Sequence, residues 1–336
     1  MAITVTVTYG QRWNYLQQML DVTQADPLIS KIIVVDNGTT DQRISKINLQ
    51  YSKVEVLRNE INTGSASGFK KGLQRAVEIV DDNFVLILDD DNVINEDSLR
   101  ILLKYWNEIS EMNKSHLIAL AGLRMDRKYL IEASLGGNIK YLFPLGNDCF
   151  GFDVQNAIGK LFYRTILRKS ILKRNETKPI VQIPMAPYGG LFFHKAILKK
   201  IGYPDERYFV YTDDFEFTHR INQNGGSIFL ISGAKIKDVS EGWINQSRRK
   251  LIYSKYLEQN DFRAYLSIRN KIYFSVNQLI TNRFIFGVNL FLFKAYLLIV
   301  AFLSNRYKKF KLVSNAIREG LSGNWANEEM SARIKN

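Results

Sequence analysis

Three consecutive carboxylates, Asp89, Asp90 and Asp91, follow the apolar run Phe84-Val85-Leu86-Ile87-Leu88. Adjacent like charges repel, so their company calls for a cation or for good solvation. Alternate residues on an extended segment point the same way, so Asp89 and Asp91 can reach one metal ion together. Hard oxygen ligands suit Mg²⁺ or Mn²⁺, which bind through one or two carboxylates plus diphosphate oxygens. An isolated acidic run also reads as a solvated loop; placement at the mouth of a buried strand favours the metal. A second cluster, Asp213-Asp214-Phe215-Glu216, opens a segment of helical spacing. A carboxylate at a partly buried helix start, facing a hydroxyl, can serve as general base. The same residues also read as an ordinary acidic first turn, favoured by the helix dipole.

The elements that must position these groups alternate in type. Ile3 to Tyr9 alternates apolar residues with threonine, the period of a strand. Lys31 to Asp36 is a β-branched run closed by the turn signal Asn37-Gly38, and Val54 to Leu57 and Phe84 to Leu88 are two further short runs. Between them, Trp13 to Val22 and Phe69 to Val80 have helical length and pattern. This order predicts an α/β fold with a mainly parallel central sheet. Ligands of such sheets sit beyond the carboxyl ends of the strands. Three of the four strands end there in polar or acidic residues: Thr8-Tyr9, Asp36-Asn37 and Asp89-Asp90-Asp91. Residues 119–178 give no clear pattern beyond glycines and aromatics that suggest loops and short strands.

Taken together, these residues resemble the family 2 glycosyltransferases of the GT-A fold, over residues 3–270. The parts occur in that family's order: the first strand, Ile33 to Asp41, Asn62-Thr63-Gly64-Ser65-Ala66-Ser67-Gly68-Phe69, Leu88 to Asp91, Asp213 to Glu216 with Arg220, and Tyr265 to Asn270. The resemblance implies a nucleotide-sugar donor, a Mn²⁺ or Mg²⁺ ion, and inverting transfer to an acceptor hydroxyl. It assigns donor contacts to Thr8, Asp36, Asn37, Asn62, Gly64, Gly68 and Asp90, and the metal to Asp89 and Asp91. Asp214 becomes the base, with Asp213 and Glu216 orienting it or gripping the sugars. The Gly189-Gly190 turn resembles the segment beside the donor, where the missing Cβ admits the substrate. The family's usual histidine about two dozen residues after the base is absent; Asp238 stands in that neighbourhood, either as replacement metal ligand or as a surface loop residue. His116, His194 and His219 read as ordinary helix residues. The form Asp-Asp-x-Glu with the later Tyr-x-x-x-Arg-Asn is similar to bacterial cell-surface polysaccharide enzymes that transfer galactofuranose or rhamnose. UDP-galactofuranose is the expected donor and dTDP-rhamnose the alternative.

Composition bounds the rest. The chain has 336 residues, 46% hydrophobic and 24% charged, which suits a folded protein rather than a disordered one. Its single cysteine, Cys149, excludes an intrachain disulfide, and its N-terminus reads as a strand and not as an export signal. The expected location is the cytoplasm. The net charge of +13 is concentrated late: from Phe262 to Arg318 there are ten basic residues and no acid. These alternate with bulky aliphatics, which excludes a nucleic-acid groove and fits an anionic membrane surface. Phe284 to Leu303 is long enough to span a bilayer as a helix, but Asn289 and Lys294 in its middle argue for one lying in the interface. A helical hairpin packed on the protein, or a homo-oligomer contact through these helices, is the alternative.

The expected organisation is therefore a catalytic domain over residues 1–245 and a basic, apolar helical region over 246–336. The chain would sit on the inner face of the membrane and work on a lipid-linked or oligosaccharide acceptor. A nucleotidyltransferase would want a Gly-rich phosphate loop after the first strand, for which Tyr9-Gly10-Gln11-Arg12 is too thin. A non-catalytic membrane-bound scaffold of the same fold is the reading from a different class, motivated by the missing histidine.

Overall fold

The computed structural model describes residues 1–80, 83–113, 117–240, 254–323 and 325. His116 and the expected boundary at 245/246 lie outside the described residues. The chain forms two compact units: one from Met1–Leu142, Ser170–Phe209 and Asp213–Trp243, the other from Phe143–Lys169, Val210–Thr212 and Ile244–Asn336. The chain leaves the first unit at 143 and again at 210.

The first unit is built on a nine-stranded sheet. Its N-terminal half follows the expected alternation: β1 (Ala2–Thr8), α1 (Trp13–Ala25), β2 (Ile29–Asn37), β3 (Val54–Asn59), α2 (Gly64–Glu78) and β4 (Phe84–Ile87). β3, β2, β1 and β4 are mutually parallel, so their carboxyl ends share one edge. All seven residues of β1 are buried, threonines included, because this strand is central and covered on both faces. Gly68 lets α2 lie close on it: a Cβ there would stand 2.6 Å from Val7 Cγ1.

Beyond β4 the sheet departs from the expected mainly parallel pattern. The strands β5 (Asn92–Ile94), β6 (Ile118–Arg124), β7 (Ile180–Ile183), β8 (Leu191–His194) and β9 (Ser227–Asp238) complete it, with α3 (Ser98–Asn113) between β5 and β6. The order is β3-β2-β1-β4-β8-β6-β9-β5, with β7 also on β9. β8 enters antiparallel between β4 and β6, and β9 pairs antiparallel with β5 and β7, so the sheet is mixed. β6 is fully buried, yet Ile-Ala-Leu-Ala-Gly-Leu-Arg carries little strand propensity; its pairing with β8 and β9 decides it.

The second unit is helical. α4 (Ala157–Phe162) runs on into a π-helical turn, Tyr163–Leu167. Later come α6 (Asp261–Phe274), α7 (Arg283–Leu303) and α8 (Tyr307–Ser322), while the intervening α5 (Asp213–Gln223) belongs to the first unit. Gly320 allows α8 against α6, since a Cβ there would stand 2.5 Å from the Arg269 carbonyl oxygen. α7 has a mean hydropathy of 2.1 and the length to cross a bilayer. One face of it is nevertheless committed inward: Phe293 stacks on Phe150 at 4.4 Å, and Asn289 donates to the Asn147 carbonyl and accepts from Val154 N. Asn289, the polar residue that argued against a span, is thus buried with both ends of its amide satisfied.

Candidate active site

The parallel strands end where the candidate residues gather. Asp89, Asp90 and Asp91 lie between β4 and β5, with Asp90 and Asp91 sharing Arg12 while Asp89 meets Arg124. Asp90 is buried and faces β1: Thr8 Oγ1 donates to its Oδ2 at 2.8 Å, and Arg12 grips both of its oxygens from 2.8 to 3.0 Å. Burial pushes Asp90 up to about 6, against the opposing pull of Arg12. Its oxygens are thus committed to tying the ends of β1 and β4 together. Arg12 also reaches Asp91 Oδ2 at 2.6 Å, and its guanidinium lies over the rings of Tyr9 and Tyr15.

Asp89 and Asp238 meet on Arg124, the last residue of β6. This guanidinium is fully buried and all five of its N–H groups have acceptors. Nε donates to Asp126 Oδ1, Nη1 to Asp89 Oδ2 and Asn92 Oδ1, and Nη2 to Asp126 Oδ2 and Asp238 Oδ2, at 2.6 to 3.0 Å. Burial raises Asp89, with Arg124 opposing it; burial raises Asp238 as well, against its bond to Ser240. Burial would also raise Asp126, but the bonds from Arg124 overcome it and hold this carboxyl low.

Gly189 exists for this hub. A Cβ at 189 would stand 1.9 Å from Asn92 Oδ1, 2.1 Å from Arg124 Nη1 and 2.8 Å from Asp89 Oδ2. The missing side chain therefore admits a guanidinium of the protein itself. At Gly190, whose φ is +90°, a Cβ would meet Ile236.

The second acidic cluster opens α5 in the same unit. Asp213 is buried and accepts from Ser65 Oγ at 2.8 Å, which ties it to the first turn of α2. Burial raises both Asp213 and Asp214; the neighbouring charge of Asp214 adds to the effect on Asp213, and that of Asp89 to the effect on Asp214. Asp214 accepts on its Oδ1 from the adjacent Phe215 N–H. Glu216, by contrast, is buried in an ion pair with Arg220, one turn on, at 3.0 Å. That pairing makes it a helix clamp. Immediately before α5 the backbone is strained, with φ of 62° at Phe209, 69° at Tyr211 and 70° at Thr212. Three such non-glycine residues cost on the order of 1–3 kcal/mol each, a pattern that clusters at functional sites. Asn270 Nδ2 donates to the Val210 and Tyr211 carbonyls at 2.8 and 2.9 Å.

The remaining donor residues form a loop network at the ends of β2 and β3. Asp36 accepts from Thr39 N at 2.9 Å and pairs with Arg58 at 3.3 Å. Asn37 donates to Asn62 Oδ1 and to the Gly64 carbonyl, while its own Oδ1 receives Asn59, Thr63 N and Thr63 Oγ1. Gly64, at φ +86°, packs on Phe209, where a Cβ would stand 2.3 Å from the carbonyl oxygen. Asn37 and Gly64 thus shape the loop, with Asn62 capping it by accepting from Gly64 N at 2.9 Å. Sequence reasoning missed Arg124, Asp126 and Arg12. An arginine closing the apolar run Ile118 to Leu123, with Asp126 two residues on, was the available signal.

The donor chemistry fits a hard divalent cation. Asp89 is 36% exposed at its side chain, and its Oδ2 is the oxygen that Arg124 holds. Asp91 shares its oxygens with Arg12 and Asn92, and accepting one hydrogen bond leaves a carboxylate oxygen a further lone pair. Asp238 fits less well, since Arg124 takes one oxygen and Ser240 the other through its N–H and hydroxyl. Among the described residues no group of three or more His, Cys, Asp or Glu side chains converges as a metal cage. Such a cage is not required where one or two carboxylates share the ion with a diphosphate.

Comparison with known proteins bears on the fold and on the N-terminal third. No curated protein matches the chain. Among solved structures, GalNAc-T7 with UDP, GalNAc and Mn²⁺ superposes with a TM-score of 0.52 at 15% identity, over 82% of this chain and 49% of that one. The chain thus spans about half the length of that structure. S. aureus TarS matches with a TM-score of 0.46 at 16% identity, over 82% of this chain and 40% of TarS; a fragment of it in complex with UDP gives 0.45. At this identity the GalNAc-T7 likeness shows the fold, a GT-A-like α/β fold with a mixed sheet. Residues 4–112, which hold Thr8, Asp36, Asn62 and the Asp89–Asp91 run, match the family model described as Glycosyl transferase family 2.

Proposed function

We propose that the chain is a glycosyltransferase that moves a sugar from a nucleoside diphosphate donor, a UDP-sugar, to an acceptor hydroxyl with inversion. One arrangement carries this reading. The carboxylate run after β4 and the pair that opens α5 share one compact unit, and the charge of Asp89 helps burial raise both Asp213 and Asp214. A cation-binding edge next to a basic carboxylate is what transfer from a diphosphate to a hydroxyl requires. The family match over residues 4–112 and the likeness to a structure solved with UDP and Mn²⁺ support it.

Asp89 and Asp91 would hold Mn²⁺ or Mg²⁺, which when bound neutralises the charge of the departing diphosphate. The protein's own groups do the rest. Arg124 fixes Asp89 by its Oδ2. Asp214, kept basic by burial and by its charged neighbours, takes the proton of the acceptor hydroxyl. The oxygen forms its bond to the anomeric carbon from the face opposite the diphosphate, and the bond from that carbon to the diphosphate oxygen breaks. Asp213 stays on Ser65 and sets the start of α5.

We further assign galactofuranose as the donor sugar and a lipid-linked glycan as the acceptor, with the outer face of α7 on the inner leaflet. The Asp-Asp-x-Glu form and the acid-free basic stretch from 262 to 318 support these finer assignments. The test is calorimetric titration of UDP into the protein with Mn²⁺ and with EDTA, on wild type and Asp89→Ala. Metal-dependent binding that the variant loses is expected. Binding of dTDP in place of UDP would move the donor to a dTDP-sugar, and no binding of either would leave a scaffold.

A further inference from the structure

α4 and the turn that continues it are built inside out. Of its side chains, Ile158 is 86% exposed and Leu161 65%, and Phe162, Ile166 and Leu167 are also turned to solvent. Turned inward, beside the buried Tyr163, is a lysine: Lys160 is 8% exposed and ion-paired with Asp148 and Asp153. A helix in water buries its apolar stripe and exposes its lysines. Here Ile158, Leu161, Phe162 and Ile166 share the outward side by their spacing, while Lys160 and Tyr163 hold the inward one.

The neighbouring helix continues the pattern. Val154 N, just before α4, donates to Asn289 in the middle of α7, and Phe152 lies 5.8 Å from the Tyr296 ring. α7 buries Phe286, Leu290, Phe293 and Leu297 within the unit, yet Phe284, Phe291, Leu298 and Phe302 form a second apolar stripe that faces out. Scattered exposed apolar residues need no explanation, but two adjacent helices with outward stripes do.

Charge chooses the occupant. Beyond the inward Lys160, residues 154–169 hold Arg164, Arg168 and Lys169 and no acid, as residues 262–318 hold ten basic residues and no acid. An apolar stripe flanked by basic residues of one sign fits the boundary of an anionic bilayer, where long basic side chains reach up to the headgroups. A protein partner covering such a stripe would meet a rim of mixed charge more often than one without a single acid.

We propose that residues 154–167 form a second membrane-inserting element beside α7, entering the headgroup boundary of an anionic bilayer through Ile158, Leu161, Phe162 and Ile166. The proposal extends the attachment assigned above to α7 and does not depend on the transferase reading. Its test is co-sedimentation of the full chain with phosphatidylcholine vesicles, with and without phosphatidylglycerol. The variants are Leu161→Glu/Ile166→Glu and, separately, Phe291→Glu/Phe302→Glu. Wild type should partition onto the anionic vesicles, and each pair should lower partitioning by about tenfold or more, from the lost burial of two apolar side chains. Thermal unfolding and UDP titration in solution should be unchanged, so a failed membrane result stands apart from a failed donor result. In addition, the indole introduced by Leu161→Trp should be quenched by lipids with brominated acyl chains, beyond any quenching of the wild type. Partitioning of Leu161→Glu/Ile166→Glu equal to wild type, or quenching of Leu161→Trp no greater than that of wild type, would overturn the proposal. So would a lipid-free dimer that this double variant dissociates, since the occupant would then be a second copy of the chain.

Discussion

Replacing Arg124 with methionine tests how the site is held together. The side chain keeps much of its volume but leaves Asp89, Asp126 and Asp238 without the cation they share. Breaking a buried ion pair by removing one partner costs about 3–5 kcal/mol. The upper part of that range applies, because Asn92 also loses its donor and all five N–H bonds vanish together. At about 2.1 cal/mol/K of unfolding entropy per residue, each kcal/mol moves the melting temperature of a chain of this size by roughly 1–2 °C, so a fall of about 5–8 °C is expected. The sign of its pH dependence follows from the three carboxyls. Asp126 is held low, so its contribution is present above its unfolded value and lost as pH falls through the folded one. Asp89 and Asp238 are already raised and would rise further without Arg124, a penalty present at neutral pH and relieved in acid. The Asp89 and Asp238 effect makes the deficit larger near neutral pH than in mild acid, while the Asp126 part is lost only below the ordinary aspartate value of about 4. Urea unfolding of wild type and variant in the two conditions reads this directly. A deficit below about 1 kcal/mol at neutral pH, or one equal in both, would refute the hub.

Three other outcomes follow from the same geometry. Gly189→Ala should cost nearly as much as losing Arg124, because its Cβ would overlap Asn92 and Arg124; an unfolding midpoint within error of wild type would show that the hub can shift. Asp214→Asn should lower kcat by about 10²–10⁴ while leaving stability intact or raised, since it removes the repulsion with Asp213. In the wild type, burial of Asp214 should put the acid limb of kcat/KM above the ordinary aspartate value of about 4, and a limb at that value would argue against this base.

Much of the first unit was legible from local pattern. β1 to β4 and the two helices between them are short periodic segments, and the carboxylate runs at 89–91 and 213–216 stand out because like charges rarely cluster without cause. Three of the candidate site residues have partners within the protein itself. Asp90 is spent on Thr8 and Arg12, Glu216 on Arg220, and Gly189 on making room for Arg124. Each depends on a partner that the one-dimensional pattern does not name, and two of those partners lie 78 and 82 residues away.

The sequence alone determined the alternating α/β start, the acidic edge beyond its strands and the basic, apolar C-terminal stretch. Each is written in short local runs, or in net charge, where neighbours in the chain suffice. The tertiary structure alone decided that the sheet is mixed, that β6 is a buried strand, and that Arg124 joins three carboxylates from separate segments. It also decided that α4 turns its lysine in and its isoleucine out. The reason is physical: strand pairing, ion pairing and burial are contests between residues far apart in the chain, and they are settled only when the core closes.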